Sequence, residues 1–158
     1  MNALRYFALA GLLATGVYSL PAQQRPVTVP RRSSKLSQPR PTPATPLAAS
    51  LARGSVVYKN VCLTCHQADG GGVQRLNPPL IKTDYVLGDK KRLIGIVLRG
   101  LKGPNEIDGE TYTQNMPAQA YLTDLNVADV LTYVRNSFGN KASAVQPSEV
   151  HALRDAKM

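Results

Sequence analysis

Tryptophan is absent from the 158 residues, and cysteine and histidine occur only twice each. Two cysteines exclude a disulfide-dense scaffold and any cluster that needs four thiolates. No apolar run reaches ~20 residues, the length of a standard membrane-spanning helix. Acidic residues are missing from the first 50 positions, which carry six basic ones. What is present suffices for one ordinary domain with extras. Hydrophobic residues make up 43% of the chain, which excludes wholesale disorder.

The net charge of +9 first points to nucleic acid or an acidic partner. Its distribution changes that reading. Residues 51–158 hold 13 basic and 10 acidic side chains, a balance of only +3, so most of the excess lies outside the part expected to fold. No nucleic-acid partner is expected. Seven of the twelve prolines fall between Pro21 and Pro46, and the composition shifts near residue 50.

Residues 1–22 read as an export signal: Arg5 in a short positive start, an apolar stretch from Tyr6 to Leu20, and a small residue after Leu20-Pro21. An uncleaved anchor is the alternative, which would associate the chain with a membrane through its N-terminus. Residues 23–50 carry Pro26, Pro30, Pro39, Pro41, Pro43 and Pro46 among Arg25, Arg31, Arg32, Lys35 and Arg40, with no aromatic residue. Such a stretch cannot bury enough apolar area to offset chain ordering, and it reads as a flexible, extended linker. Residues 51–158 are the expected domain, with 141–158 as a short C-terminal extension.

The chemistry is concentrated in Cys62-Leu63-Thr64-Cys65-His66, a Cys-x-x-Cys-His motif. Two thiols three residues apart on one helical turn suit covalent addition to the two vinyl groups of one haem. The following His66 is then placed to ligate the iron from the proximal side. Three rivals stand beside this. A Cys62–Cys65 disulfide leaves His66 unexplained. A thioredoxin-like redox pair expects a preceding strand, where this sequence reads as helix. A zinc site needs four ligands, and the only other histidine, His151, lies in a polar tail.

Gly54-x-x-x-Tyr58-x-x-x-Cys62-x-x-Cys65-His66 resembles the first helix of the class I monohaem cytochromes c. Asn77-Pro78-Pro79-Leu80 is similar to the segment that passes the proximal histidine, and Asn115-Met116-Pro117-Ala118 to the distal loop. Leu122-Thr123-Asp124 through Tyr133-Val134-Arg135 resembles the closing helix. The matches follow the family's order over residues 51–140. The stretch from Gly109 to Asn140 is especially similar to cytochrome domains that accompany bacterial periplasmic dehydrogenases and copper nitrite reductases.

The resemblance implies one covalent haem c on Cys62 and Cys65, with His66 and Met116 as axial ligands. Elimination supports Met116, since Met1 belongs to the signal-like segment and Met158 is terminal. A thioether ligand favours ferrous iron and raises the potential. Following the family, the carbonyl of Pro78 is expected to accept the other ring N–H of His66 and fix its tautomer. Leu80 is assigned to the haem environment. The propionate contact that mitochondrial members give to a tryptophan must come from elsewhere, and Tyr112 is the candidate.

Three helices are expected to cover most of the domain. The first runs over 47–65, with Gly54 either weakening it or admitting a close helix. A second is capped by Asp89 and carries Leu93, Ile94, Val97, Leu98 and Leu101 at helical spacing. A third is capped by Thr123 or Asp124, with Val127, Val130, Leu131, Val134 and Phe138 inward and Gly139-Asn140 as its stop. Asp108-Gly109 fits the turn of a small hairpin over 106–112. Pro147 starts a short extra helix to residue 157, on which His151 faces solvent. Lys90-Lys91-Arg92 reads as a solvated helix face.

The expected architecture is therefore all-α: a cytochrome c fold of three to five helices around one covalent haem. The expected function is electron transfer, cycling Fe(II)/Fe(III) between a respiratory or dehydrogenase donor and a terminal acceptor, without enzymatic bond-making. The alternatives are an electron-transfer subunit of a larger oxidoreductase and a haem-based gas sensor. The partners are redox proteins. The location is periplasmic or otherwise exported, or anchored to the outer face of the inner membrane.

Overall fold

The computed structural model describes residues 45–156. The signal-like residues 1–22 and the linker up to residue 44 lie outside the described residues, as do Lys157 and Met158. The first helix starts at Pro46, one residue before the expected 47, so residues 46–50 of the stretch read as linker are helical. The cause is local. Thr45 Oγ1 accepts the Ala48 N–H at 3.2 Å, and a proline at the first helical position gives up no hydrogen bond.

The first helical run comprises α1 (Pro46–Val57), a π-helical turn (Tyr58–Cys62) and α2 (Leu63–His66). Helix α3 (Asp84–Leu87) is short; α4 (Lys90–Arg99), α5 (Asp124–Arg135) and α6 (Pro147–Asp155) are longer. Strands β1 (Asn105–Ile107) and β2 (Glu110–Tyr112) form one antiparallel hairpin, with Asn105 opposite Tyr112. Asp108 and Gly109 both take positive φ at its turn, the conformation that a two-residue hairpin loop demands. No helix among the described residues is long and apolar enough to cross a membrane.

The core forms where α1 crosses α5. Gly54 is buried there, and a Cβ at that position would collide with the Asp129 carbonyl and the Tyr133 Cβ. Its value is therefore the close approach, and the missing side chain is what permits it. Asp129 is 2% exposed at this crossing, accepts from Ser50 Oγ at 2.6 Å and Arg53 Nη2 at 2.9 Å, and so is satisfied inside the core. Tyr58, Ile94, Val127, Val130, Leu131 and Val134 complete the packed interior.

Caps act largely where the sequence places them. Asp89 Oδ1 accepts the Lys91 N–H at 2.8 Å, and Thr123 Oγ1 accepts the Asn126 N–H at 3.2 Å. Two helix ends differ from expectation. Helix α4 ends at Arg99, because Gly100 turns with φ of 79° and Leu101 leaves to bridge Met116. Helix α5 stops at Arg135, short of Gly139-Asn140. Phe138 takes φ of 57°, which sets its ring 5.3 Å from Tyr58 and 5.8 Å from Tyr133. That aromatic packing outweighs another helical turn. Asn140 then folds back, its Nδ2 donating to the Val134 and Leu80 carbonyls at 2.8 Å each.

The C-terminal extension is part of the core. Val150 is fully buried and Val145 is 3% exposed, both packed with residues of α4 and α5. Lys90 and Arg92 are also less free than the solvated reading implied. Lys90 pairs with Glu149 at 2.6 Å, and Arg92 pairs with Asp84 at 2.6 Å while lying 4.4 Å over the Tyr85 ring. Lys91 is exposed.

Candidate haem site

One open cleft, enclosing about 1190 Å³ that is partly continuous with solvent, brings the candidate residues together. Cys62, Cys65, His66, Pro78, Leu80, Tyr112 and Met116 all line it. Four separate parts of the chain deliver them. The π-helical turn and α2 deliver the cysteines and His66. The Asn77–Leu80 segment passes beside them, its Leu80 N–H held by the Gly70 carbonyl at 2.7 Å. Strand β2 contributes Tyr112, which is 8% exposed. Met116 exchanges backbone hydrogen bonds with Leu101, N–H to carbonyl at 2.8 Å and carbonyl to N–H at 3.0 Å.

His66 is 9% exposed, and its Nδ1 lies 3.0 Å from the Pro78 carbonyl oxygen. With Nδ1–H donating to that carbonyl, Nε2 is the ring nitrogen left for a metal. Burial holds the imidazole below its ordinary pKa, opposed in part by the Pro78 carbonyl. A neutral ring is the form that ligates. Burial, then the neighbouring Cys65, pushes the Cys62 thiol up to about 11. Both cysteines are free thiols, so no disulfide occupies the motif. The residues ahead of Cys62 are helical, and among the described residues no three His, Cys, Asp or Glu side chains converge as a metal cluster. The thioredoxin-like and zinc readings find no support in this arrangement. His151 is exposed and sits between Asp124 (3.3 Å) and Asp155 (3.2 Å), away from the cleft.

The residues lining the cleft are uncharged. Val61, Val86, Ile96, Val97, Leu131 and Val134 give it apolar walls, and Asn77, Gln114, Asn115 and Gln119 supply amides. Of these, the amides were not singled out from sequence, although Asn77 and Asn115 flank the recognised Pro78 and Met116. Tyr85 was also missed, since it sits in the four-residue helix α3, too short to show a periodic pattern.

The cytochrome c family model matches residues 51–138. The chain belongs to the cytochrome c family. This cytochrome c domain is 33% identical over 121 residues to cytochrome c-552 of Thermus thermophilus, covering 71% of this chain and 81% of that one. It is 37% identical over 105 residues to the gluconate 2-dehydrogenase cytochrome c subunit of Pantoea cypripedii, covering 64% of this chain and 24% of the relative. It is 32% identical over 110 residues to the alcohol dehydrogenase (quinone) cytochrome c subunit of Gluconacetobacter polyoxogenes, covering 65% and 22%. The chain thus spans about a quarter or less of the length of these dehydrogenase subunits.

The fold is the cytochrome c fold, the cofactor is covalently bound haem c, and the function that goes with the family is electron transfer. The residues fit the group. A flat apolar macrocycle suits an uncharged cleft of this size, and the two free thiols and the available imidazole nitrogen share one wall with it.

Proposed function

We propose that this domain carries single electrons on one haem c held by Cys62 and Cys65, with His66 and Met116 as its axial ligands. The observation that carries the reading is the meeting of all four side chains in one uncharged cleft. When bound, haem c supplies a one-electron Fe(II)/Fe(III) couple. The chain's residues set the conditions for it. The cysteine sulfurs anchor the group covalently. The Pro78 carbonyl orients the His66 ring. The soft Met116 sulfur favours the reduced state, and the apolar walls keep water from the metal. The carrier role rests on the similarity to cytochrome c-552 and to the cytochrome c subunits of dehydrogenases.

The donor or acceptor is a redox protein. Similarity to cytochrome subunits of dehydrogenases favours a role wiring such an enzyme to a respiratory chain. A free carrier fits the similarity to cytochrome c-552. A pull-down from membranes and periplasm separates them, because a free carrier is not recovered stoichiometrically with one large partner. Export, or anchoring at the outer face of the inner membrane, rests on the signal-like residues 1–22.

Potentiometric titration of the haem absorbance tests the carrier reading. A single reversible wave with n of about 1 is expected. Irreversible reduction, or rapid turnover of peroxide by the reduced protein, contradicts it.

A further inference from the structure

The family match ends at residue 138, so helix α6 lies beyond it. Its last turn carries Arg154 to the chain that leaves the distal loop. Arg154 Nη1 donates to the Ala120 carbonyl at 2.7 Å, Nη2 to the Leu122 carbonyl at 2.7 Å, and Nε to Asp124 Oδ1 at 2.8 Å. One guanidinium therefore closes on three residues shortly after Met116. Its fork holds a plane of acceptors that a single point charge does not.

The loop needs such ties. From Thr113 to Tyr121 only Met116 and Gln119 are even partly buried. Apolar packing within the loop is confined to Met116, which lies against the core. Its backbone is pinned at Met116 by Leu101, and at Gln119 by the Val97 carbonyl at 2.8 Å. Beyond Gln119 the chain is held by Leu122, which is 8% exposed in the core and donates its N–H to the Gln119 carbonyl at 3.1 Å, and by the guanidinium of Arg154. Its base is firm, since Val150 of the same helix is fully buried and Glu149 is bonded to Lys90.

We propose that Arg154 is a positioning residue for Met116: α6 clasps the outgoing arm of the distal loop and holds the methionine sulfur at the iron. This rests on the reading of Met116 as the axial ligand. The clasp works at a distance, since Arg154 does not line the cleft.

The test is carbon monoxide uptake by the reduced holoprotein, followed in the visible spectrum. Wild type is expected to take up the gas slowly or not at all. Arg154→Ala should raise the rate by roughly tenfold or more, the factor that accompanies loss of one charge-assisted hydrogen bond. Arg154→Lys, which keeps the charge and loses the fork, should also raise it. Gly54→Ala, which strains the α1–α5 crossing, controls for general loosening and should leave uptake near wild type. Unchanged uptake in folded Arg154→Ala overturns the clasp. If that variant does not fold, Arg154→Lys decides by the same criterion. Equal acceleration by Gly54→Ala at a similar loss of Tm also overturns it. A Met116→Ala spectrum identical to wild type defeats the ligand assignment itself, a separate outcome.

Discussion

The Nδ1 atom of His66 lies 3.0 Å from the carbonyl oxygen of Pro78, twelve residues further along the chain. The acceptor is backbone, so side-chain replacement at position 78 leaves it in place. Pro78→Ala is expected to keep covalent haem and a six-coordinate spectrum. His66→Ala should keep the haem covalently attached through Cys62 and Cys65 while losing that spectrum. Acidified organic extraction, combined with the visible spectrum of each variant, checks both. Haem extracted in full from wild type contradicts the covalent attachment.

Asn140 is 3% exposed and bonds three backbone groups: the Leu80 and Val134 carbonyls and the Lys82 N–H, each at 2.8 Å. It ties the segment beside His66 to the end of α5. Asn140→Ala is expected to cost about 3 kcal/mol, from one buried and two part-buried hydrogen bonds at about 1 kcal/mol each. Urea unfolding of the holoprotein measures this. A loss under about 1 kcal/mol would mean that water replaces the amide.

Gly54 permits the α1–α5 crossing by lacking a Cβ. Gly54→Ala gains helix propensity but overlaps the Asp129 carbonyl, which is backbone and cannot swing aside. The overlap should prevail, with a net loss of about 1–3 kcal/mol seen as a lower Tm. A stabilised variant would show that the two helices separate at little cost.

Glu149 fastens α6 to α4. Burial alone would raise its pKa. Hydrogen bonds from Lys90 and the Gln146 N–H, with attraction from Lys90 and Arg135, lower it below its ordinary 4.5. A carboxylate lowered on folding adds stability that is complete above the unfolded value and lost as pH falls through the folded one. The advantage of wild type over Glu149→Gln should therefore be constant near neutrality and disappear in acid, below about 4.5. Unfolding of both proteins across that range checks it. A difference independent of pH contradicts the ionic origin.

The haem motif was legible because its chemistry demands fixed spacing: Cys62, Cys65 and His66 must share one helical turn. The hairpin turn at Asp108-Gly109 and the caps at Asp89 and Thr123 were legible for a similar local reason. The end of α5 was not. Phe138 leaves the helix for contacts with Tyr58 and Tyr133, about 80 residues earlier for Tyr58, and no local pattern encodes that. The first helix was legible from residue 47, one position after its start at Pro46; its cap, Thr45, lies in the proline-rich stretch read as linker. The integration of α6 was likewise hidden. Val150 and Leu153 are a short apolar pair in a polar stretch, and the burial of Val150 depends on contacts with other helices. Arg154 reads as an ordinary surface cation until the fold brings Ala120 and Leu122 to it.

The most direct test of the His66/Met116 carrier is the visible spectrum of the reduced wild-type protein before and after carbon monoxide. The account predicts a six-coordinate haem c spectrum that the gas leaves essentially unchanged. Immediate and complete conversion to a carbon monoxide complex would contradict it, and would mean an iron with an open position suited to sensing or catalysis.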